Sequence, residues 1–132
     1  MLLDWDFLLA LPVTPSFAQD IREQTVVAEC TTGTTSMSGA RNGCDSAWSE
    51  AVAPTGYVFS KESLQGGEWS GAGSEHECLI AWDGNVEVIP GSKILQPTIL
   101  RARAHARSAK GHGAGRGWAK CKYTVTLTKF TR

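Results

Sequence analysis

The fold class predicted from the sequence is all-β: a two-sheet antiparallel β-sandwich, with a small barrel as the alternative, built from about seven strands with little or no helix outside the leader. Three observations carry this expectation. From Gln24 onward apolar and polar residues alternate with a period of two, the period of a strand. Gly, Pro, Ser and Thr clusters punctuate these runs at short intervals. No window places apolar residues at i, i+3, i+4 and i+7 between helix caps.

Taken in order, the first segment carries an apolar run from Phe7 to Val13 and small residues at Ser16 and Ala18, resembling the small-x-small pattern before a signal-peptidase cut. Residues 1–18 are therefore read as a signal peptide. An N-terminal arm is the alternative, because Asp4 and Asp6 stand where a signal carries positive charge. Residues 19–132 form a single β-sandwich domain.

Val26, Ala28 and Cys30 alternate with polar neighbours in the first strand, and Thr31 to Gly43 is a loop by composition. Short strands are expected near Ala47–Val52 and Tyr57–Ser60, separated by Pro54-Thr55-Gly56. Gln65 to Ser74 is turn-rich. Glu77–Trp82 and Asn85–Ile89 flank Asp83-Gly84, a dipeptide that predicts a tight hairpin because both turn residues tolerate positive φ. Pro97 interrupts Ile94–Arg107, leaving a regular strand from Thr98. Arg107–Gly117 reads as a mobile hairpin loop and Trp118–Lys129 as the last strand.

Cys30, Cys44, Cys78 and Cys121 are even in number and contain no CxxC pair, which speaks for disulfides and an oxidising compartment over a zinc ribbon or a thioredoxin-like site. Spacing leaves three pairings open. The expected one joins Cys30 to Cys44 around the local loop and Cys78 to Cys121 between strands. Secretion, or a periplasmic or cell-surface location, follows from the leader and the cysteines together. No run of about 18 apolar residues is present, so no membrane span is expected in the mature chain.

The last two long strands sort cleanly into faces. Leu100, Ala102, Ala104 and Ala106 share one side, against Ile99, Arg101, Arg103, His105 and Arg107. Ala119, Cys121, Tyr123, Val125 and Leu127 share one side, against Trp118, Lys120, Lys122 and the threonines at 124, 126 and 128. The apolar sets must face the core, since a one-residue slip would bury the charges. Paired as a hairpin across the 107–117 loop, the two strands would present Arg101, Arg103, His105, Arg107, Trp118, Lys120 and Lys122 on one surface.

Charge distribution draws attention to the same region. The 13 Lys+Arg balance the 13 Asp+Glu, yet residues 1–87 hold every acid and only Arg22, Arg41 and Lys61 among the bases. This basic face predicts a binding module for an anionic polymer, a glycan or cell-envelope polymer. Trp118 would stack, while Lys110 and Arg116 would reach in from the loop. Neutralisation within the molecule competes with this reading, through Glu75, Glu77 and Glu87 on neighbouring strands. A second alternative is self-association into a homo-oligomer through the acidic and basic halves. Nucleic acid is a poor partner for an exported protein.

No catalysis, cofactor or metal is expected. RSAKGHGAGRGW lacks the glycine and lysine spacing of a phosphate-binding loop and precedes a strand rather than a helix. Ser70 lacks the flanking glycines of a nucleophile elbow. His76 and Cys78 could share a metal by strand spacing, with His105 or Cys121 nearby, but Cys78 is better used in a disulfide; a small hydrolase or metal protein is the weakest alternative. Trp48 and Trp69 sit in or beside loops, Trp82 ends a strand and Trp118 starts one, as plugs of the core or as a carbohydrate platform.

Overall fold

A computed structural model describes residues 23–130; the 1–18 leader expectation lies outside the described residues. Among these residues ten strands follow in order: β1 (Glu23–Thr31), β2 (Gly43–Asp45), β3 (Ser49–Val52), β4 (Tyr57–Phe59), β5 (Gln65–Ala72), β6 (Glu75–Asp83), β7 (Val86–Glu87), β8 (Leu95–Gln96), β9 (Ile99–Arg107) and β10 (Trp118–Lys129). One 3-10 turn, Lys61–Ser63, joins β4 to β5. The all-β, antiparallel, sandwich-like class is the one the alternation predicts.

Two long strands organise the molecule, each at the centre of its own sheet. In sheet I, β10 pairs with β1 along one side, from Glu23↔Thr126 to Thr31↔Trp118, while β5 and β4 divide its other side. In sheet II, β9 pairs with β6 along one side, from Glu75↔Arg107 to Asp83↔Ile99, while β2 and β3 divide the other. The alternation in β9 and β10 sorts faces as expected: Leu100, Ala102, Ala104 and Ala106 meet Ala119, Cys121, Tyr123, Val125 and Leu127 in the common core.

The expected β9–β10 hairpin does not form. Both lateral edges of β9 are occupied by β6, β2 and β3, and both edges of β10 by β1, β5 and β4, so neither has a free side for the other. Residues 108–117 instead arch from one sheet to the other. Gly117 makes the arch possible, because a Cβ there would collide with the Arg107 carbonyl. The arch is tied to the 32–42 loop by Thr35 N–H donating to Ala114 O at 2.9 Å and Gly113 N–H to Ser36 O at 3.1 Å. Beneath it, buried Thr35 and Ser108 hydroxyls bond at 2.7 Å and Gly117 N–H donates to Thr32 Oγ1 at 2.9 Å, which satisfies polar groups taken out of water.

The tight hairpin at Asp83-Gly84 is also corrected. A two-residue turn of that type needs positive φ at both central positions, and only Gly84 (φ 67°) has it. Asp83 stays in β6, and Thr98 N–H closes the β6–β9 pair by donating to the carbonyls of Asp83 at 3.1 Å and Gly84 at 3.0 Å. Between them, β7 and β8 form a small ribbon turning at Pro90-Gly91. The Glu87 carboxylate holds that turn, accepting from Gly91 N–H at 2.9 Å and Lys93 N–H at 2.7 Å.

Gln65–Ser74, read as turn-rich, is largely strand β5. Gly66 is there for close approach rather than for turning: a Cβ on it would strike the Lys122 carbonyl.

Both disulfides expected from the sequence are present, and each crosses between sheets. Cys30 (β1) meets Cys44 (β2) with Cα atoms 6.0 Å apart, and Cys78 (β6) meets Cys121 (β10) at 5.9 Å. Two such bonds are typical of an oxidising environment. Among the described residues no helix is long and apolar enough to cross a membrane.

Candidate polyanion-binding face

Because β9 and β10 face one another across the core, their outward residues point in opposite directions. The seven residues expected on one basic surface, and the two expected to reach in from the loop, therefore separate into three groups. Arg101, Arg103, His105 and Arg107 lie on sheet II; Trp118, Lys120 and Lys122 lie on sheet I; Lys110 and Arg116 are exposed on the arch between them.

On sheet II the edge strands bring partners to each side of β9. Arg101 Nε donates to Glu50 Oε2 of β3 at 2.7 Å, and its NH1 to Asp83 Oδ2 of β6 at 3.1 Å. Those contacts hold the guanidinium more firmly protonated, Glu50 contributing most. Asp83 is held below the usual carboxylate range first by the Gly84 amide and then by Arg101. Arg103 Nε donates to the Ser46 carbonyl at 3.0 Å, and its guanidinium lies 5.7 Å from the centre of the Trp48 ring system.

His105 sits between carboxylates, Nδ1 at 2.8 Å from Asp45 Oδ1 and Nε2 at 3.1 Å from Glu75 Oε1. A carboxylate only accepts, so this geometry calls for a proton on both ring nitrogens, an imidazolium. Glu75, then Asp45, accordingly raise the His105 pKa. The His105 hydrogen bond in turn lowers that of Glu75, with Arg107 NH1 also 3.5 Å from Glu75 Oε2. Neutralisation is thus present on this face, through Glu75 as expected and otherwise through Glu50, Asp83 and Asp45; among the described residues Glu77 makes no ion pair, and Glu87 is engaged in the ribbon turn.

Sheet I differs. Lys122 is exposed, and neither it nor Lys120 makes an ion pair among the described residues. Glu29 opposes Lys120 in register, yet the Lys120 ammonium lies 5.3 Å from the centre of the Trp69 ring system. A β-bulge between Lys120 and Cys121 slips the β5 register at Glu68–Ser70 and leaves Trp69 unpaired in the ladder. Its indole is 59 % exposed. Trp118, the expected stacking plate, is half-buried, and its Nε1 donates to Ser70 Oγ at 3.0 Å.

Beside Trp69 lies an open groove of about 580 Å³ lined by Val27, Gly66, Gly67, Glu68, Trp69 and Lys122. Val27 and Lys122 are register partners, so an apolar wall and a cation face the groove side by side. Glu68 also reaches the other way, its Oε2 accepting from His76 Nδ1–H at 2.6 Å. In the sequence Trp69 stands out only as one of several tryptophans at loop edges. The period-two rule passes over it because the bulge interrupts the period.

A second cavity, about 420 Å³ and mostly apolar, lies between the β7–β8 ribbon and the end of sheet I, with Val58, Ile89 and Phe130 in its wall and Lys129 as its only charge. The metal alternative has lost Cys78 to a disulfide, and among the described residues no three His, Cys, Asp or Glu side chains come together as a metal site. No protein-family model matches the chain, and no curated protein and no solved structure matches it either.

Proposed function

We propose that this protein is an exported, non-catalytic binding module that holds an anionic polymer on the outer face of sheet I. The observation that carries the reading is the unequal use of cations on the two faces. Arg101, His105 and Arg107 already face carboxylates of their own chain, so a polyanion would have to displace intramolecular partners to reach them. Lys122 is exposed beside an accessible indole, and among the described residues Lys120 makes no ion pair and lies against that ring. Trp118 lies on the same outward side of β10 and is fixed there by its hydrogen bond to Ser70. Lys110 and Arg116 extend positive potential toward the arch.

The paired cations of sheet II also weaken the self-association alternative. Much of the charge complementarity that would join an acidic half to a basic half is already engaged within one molecule. Two disulfides accord with a secreted, periplasmic or cell-surface location.

Retention of the full chain on immobilised polygalacturonate, dextran sulfate and polyphosphate through a salt gradient tests the reading. We expect the Lys120→Ala/Lys122→Ala variant to elute at distinctly lower salt than the parent on the matrix that retains it best. Arg101→Ala/Arg103→Ala removes the same formal charge and should elute with the parent. Equal losses from both variants, or no retention on any matrix, would overturn it.

A further inference from the structure

Resting on that reading of sheet I, we infer that the groove beside Trp69 selects a polyuronate, a chain of pyranose rings each carrying one carboxylate, over more densely charged polyanions. Four features point to this class. The walls formed by Trp69 and Val27 are apolar, which suits the C–H face of a sugar ring and offers nothing to a sulfate or phosphate. The floor at Gly66 and Gly67 has no side chains, and the space where a Gly67 Cβ would stand is open, so a ring can approach the backbone closely.

The third feature is the edge itself. Among the described residues β5 pairs with β10 alone, which leaves the backbone N–H and C=O groups along its far side to ligand hydroxyls. Sugars supply such hydroxyls along their whole length, whereas polyphosphate has none. The fourth is the charge of the groove: one cation, Lys122, and one carboxylate, Glu68. A single carboxylate per ring can meet Lys122 while the ring hydroxyls donate to Glu68. A polymer with charge at every position must instead bring anions against Glu68, which disfavours it.

The test is direct binding of the full chain to polygalacturonate, dextran sulfate, polyphosphate and neutral dextran, followed by tryptophan fluorescence and calorimetry. We expect polygalacturonate to bind most tightly and Trp69→Ala to weaken it by about tenfold, the usual scale for loss of one stacked ring. Trp69→Phe should recover much of that loss, which a merely unfolded variant cannot do. Val27→Glu, which sets a carboxylate beside Lys122, should abolish binding without lowering the melting temperature, since position 27 is exposed. If dextran sulfate or polyphosphate binds more tightly and Trp69→Ala changes nothing, the polyuronate assignment fails while the broader polyanion reading survives. If no anionic polymer binds, or neutral dextran binds equally well without Lys122, both fail.

Discussion

The outer faces of the two sheets begin from the same sequence device and end in opposite states. Each central strand alternates small or apolar residues inward with cations outward: Arg101, Arg103, His105 and Arg107 on β9, Lys120 and Lys122 on β10. On β9 the neighbouring strands supply Glu50, Asp83, Asp45 and Glu75 at ion-pair distance. On β10 they set Val27 and Gly67 opposite Lys122 and Glu29 and Ser70 opposite Lys120, with Glu68 in the groove, and among the described residues neither carboxylate is at ion-pair distance from a lysine. A row of cations on a strand is therefore no site by itself. The flanking strands decide whether it serves the fold or remains open to a partner.

The strongest way to break this arrangement is to cut the covalent ties that hold the sheets back to back. Closing a loop of 43 residues, the Cys78–Cys121 bond constrains the unfolded chain more than Cys30–Cys44, which spans 14. Loop-closure entropy predicts a loss of about 4 kcal/mol for Cys78→Ala/Cys121→Ala and about 3 kcal/mol for Cys30→Ala/Cys44→Ala. Denaturant unfolding of the two double variants measures the ratio. A larger loss from the shorter loop would mean that local strain, not chain entropy, governs these bonds.

A smaller effect sharpens the contrast between the faces. Arg101→Met leaves Glu50 and Asp83 without the cation between them and should lower the melting temperature with polyanion retention unchanged. Lys122→Met should do the reverse, shifting stability by no more than about 0.5 kcal/mol while weakening retention. Thermal scans and salt-gradient elution of the two variants, run side by side, decide the point. Matching phenotypes would erase the distinction.

The smallest effect is on the pH dependence of sheet II. His105 has its pKa raised above the ordinary 6.5, so its contribution is complete below about pH 6.5 and declines as pH rises through the raised value. Glu75 is lowered below its ordinary 4.5, so its contribution is present above that pH and is lost as pH falls through the lowered value. Stability should therefore be greatest between these limits. His105→Gln should flatten the alkaline decline, and a decline that persists in the variant would place its origin elsewhere.

Legibility in the sequence followed the range of the forces involved. The boundaries of β10 and the inward parity of Ala102, Ala104, Cys121 and Tyr123 were readable because alternation is local and burying a charge is costly. Which strands lie beside β9 was not, because pairing joins residues far apart: Glu50 meets Arg101 across 51 positions. Asp83-Gly84 carries a strong hairpin signal, but the β6–β9 ladder keeps Asp83 extended. Trp69 escaped because a bulge and three glycines disguise β5 as a turn, and the groove depends on that irregularity. The disulfide pairing was reachable because Cys30 and Cys44 bracket one loop, leaving Cys78 for Cys121.

The measurement that bears most directly on the difference between the faces is an NMR titration of the isotope-labelled full chain with a short oligogalacturonate. The account predicts shifts confined to the Gly66 and Gly67 amides, the Trp69 indole N–H and the Lys122 amide, with the Nε signals of Arg101 and Arg103 unmoved. Shifts centred on the arginines of β9, or spread evenly over both sheets, would contradict it.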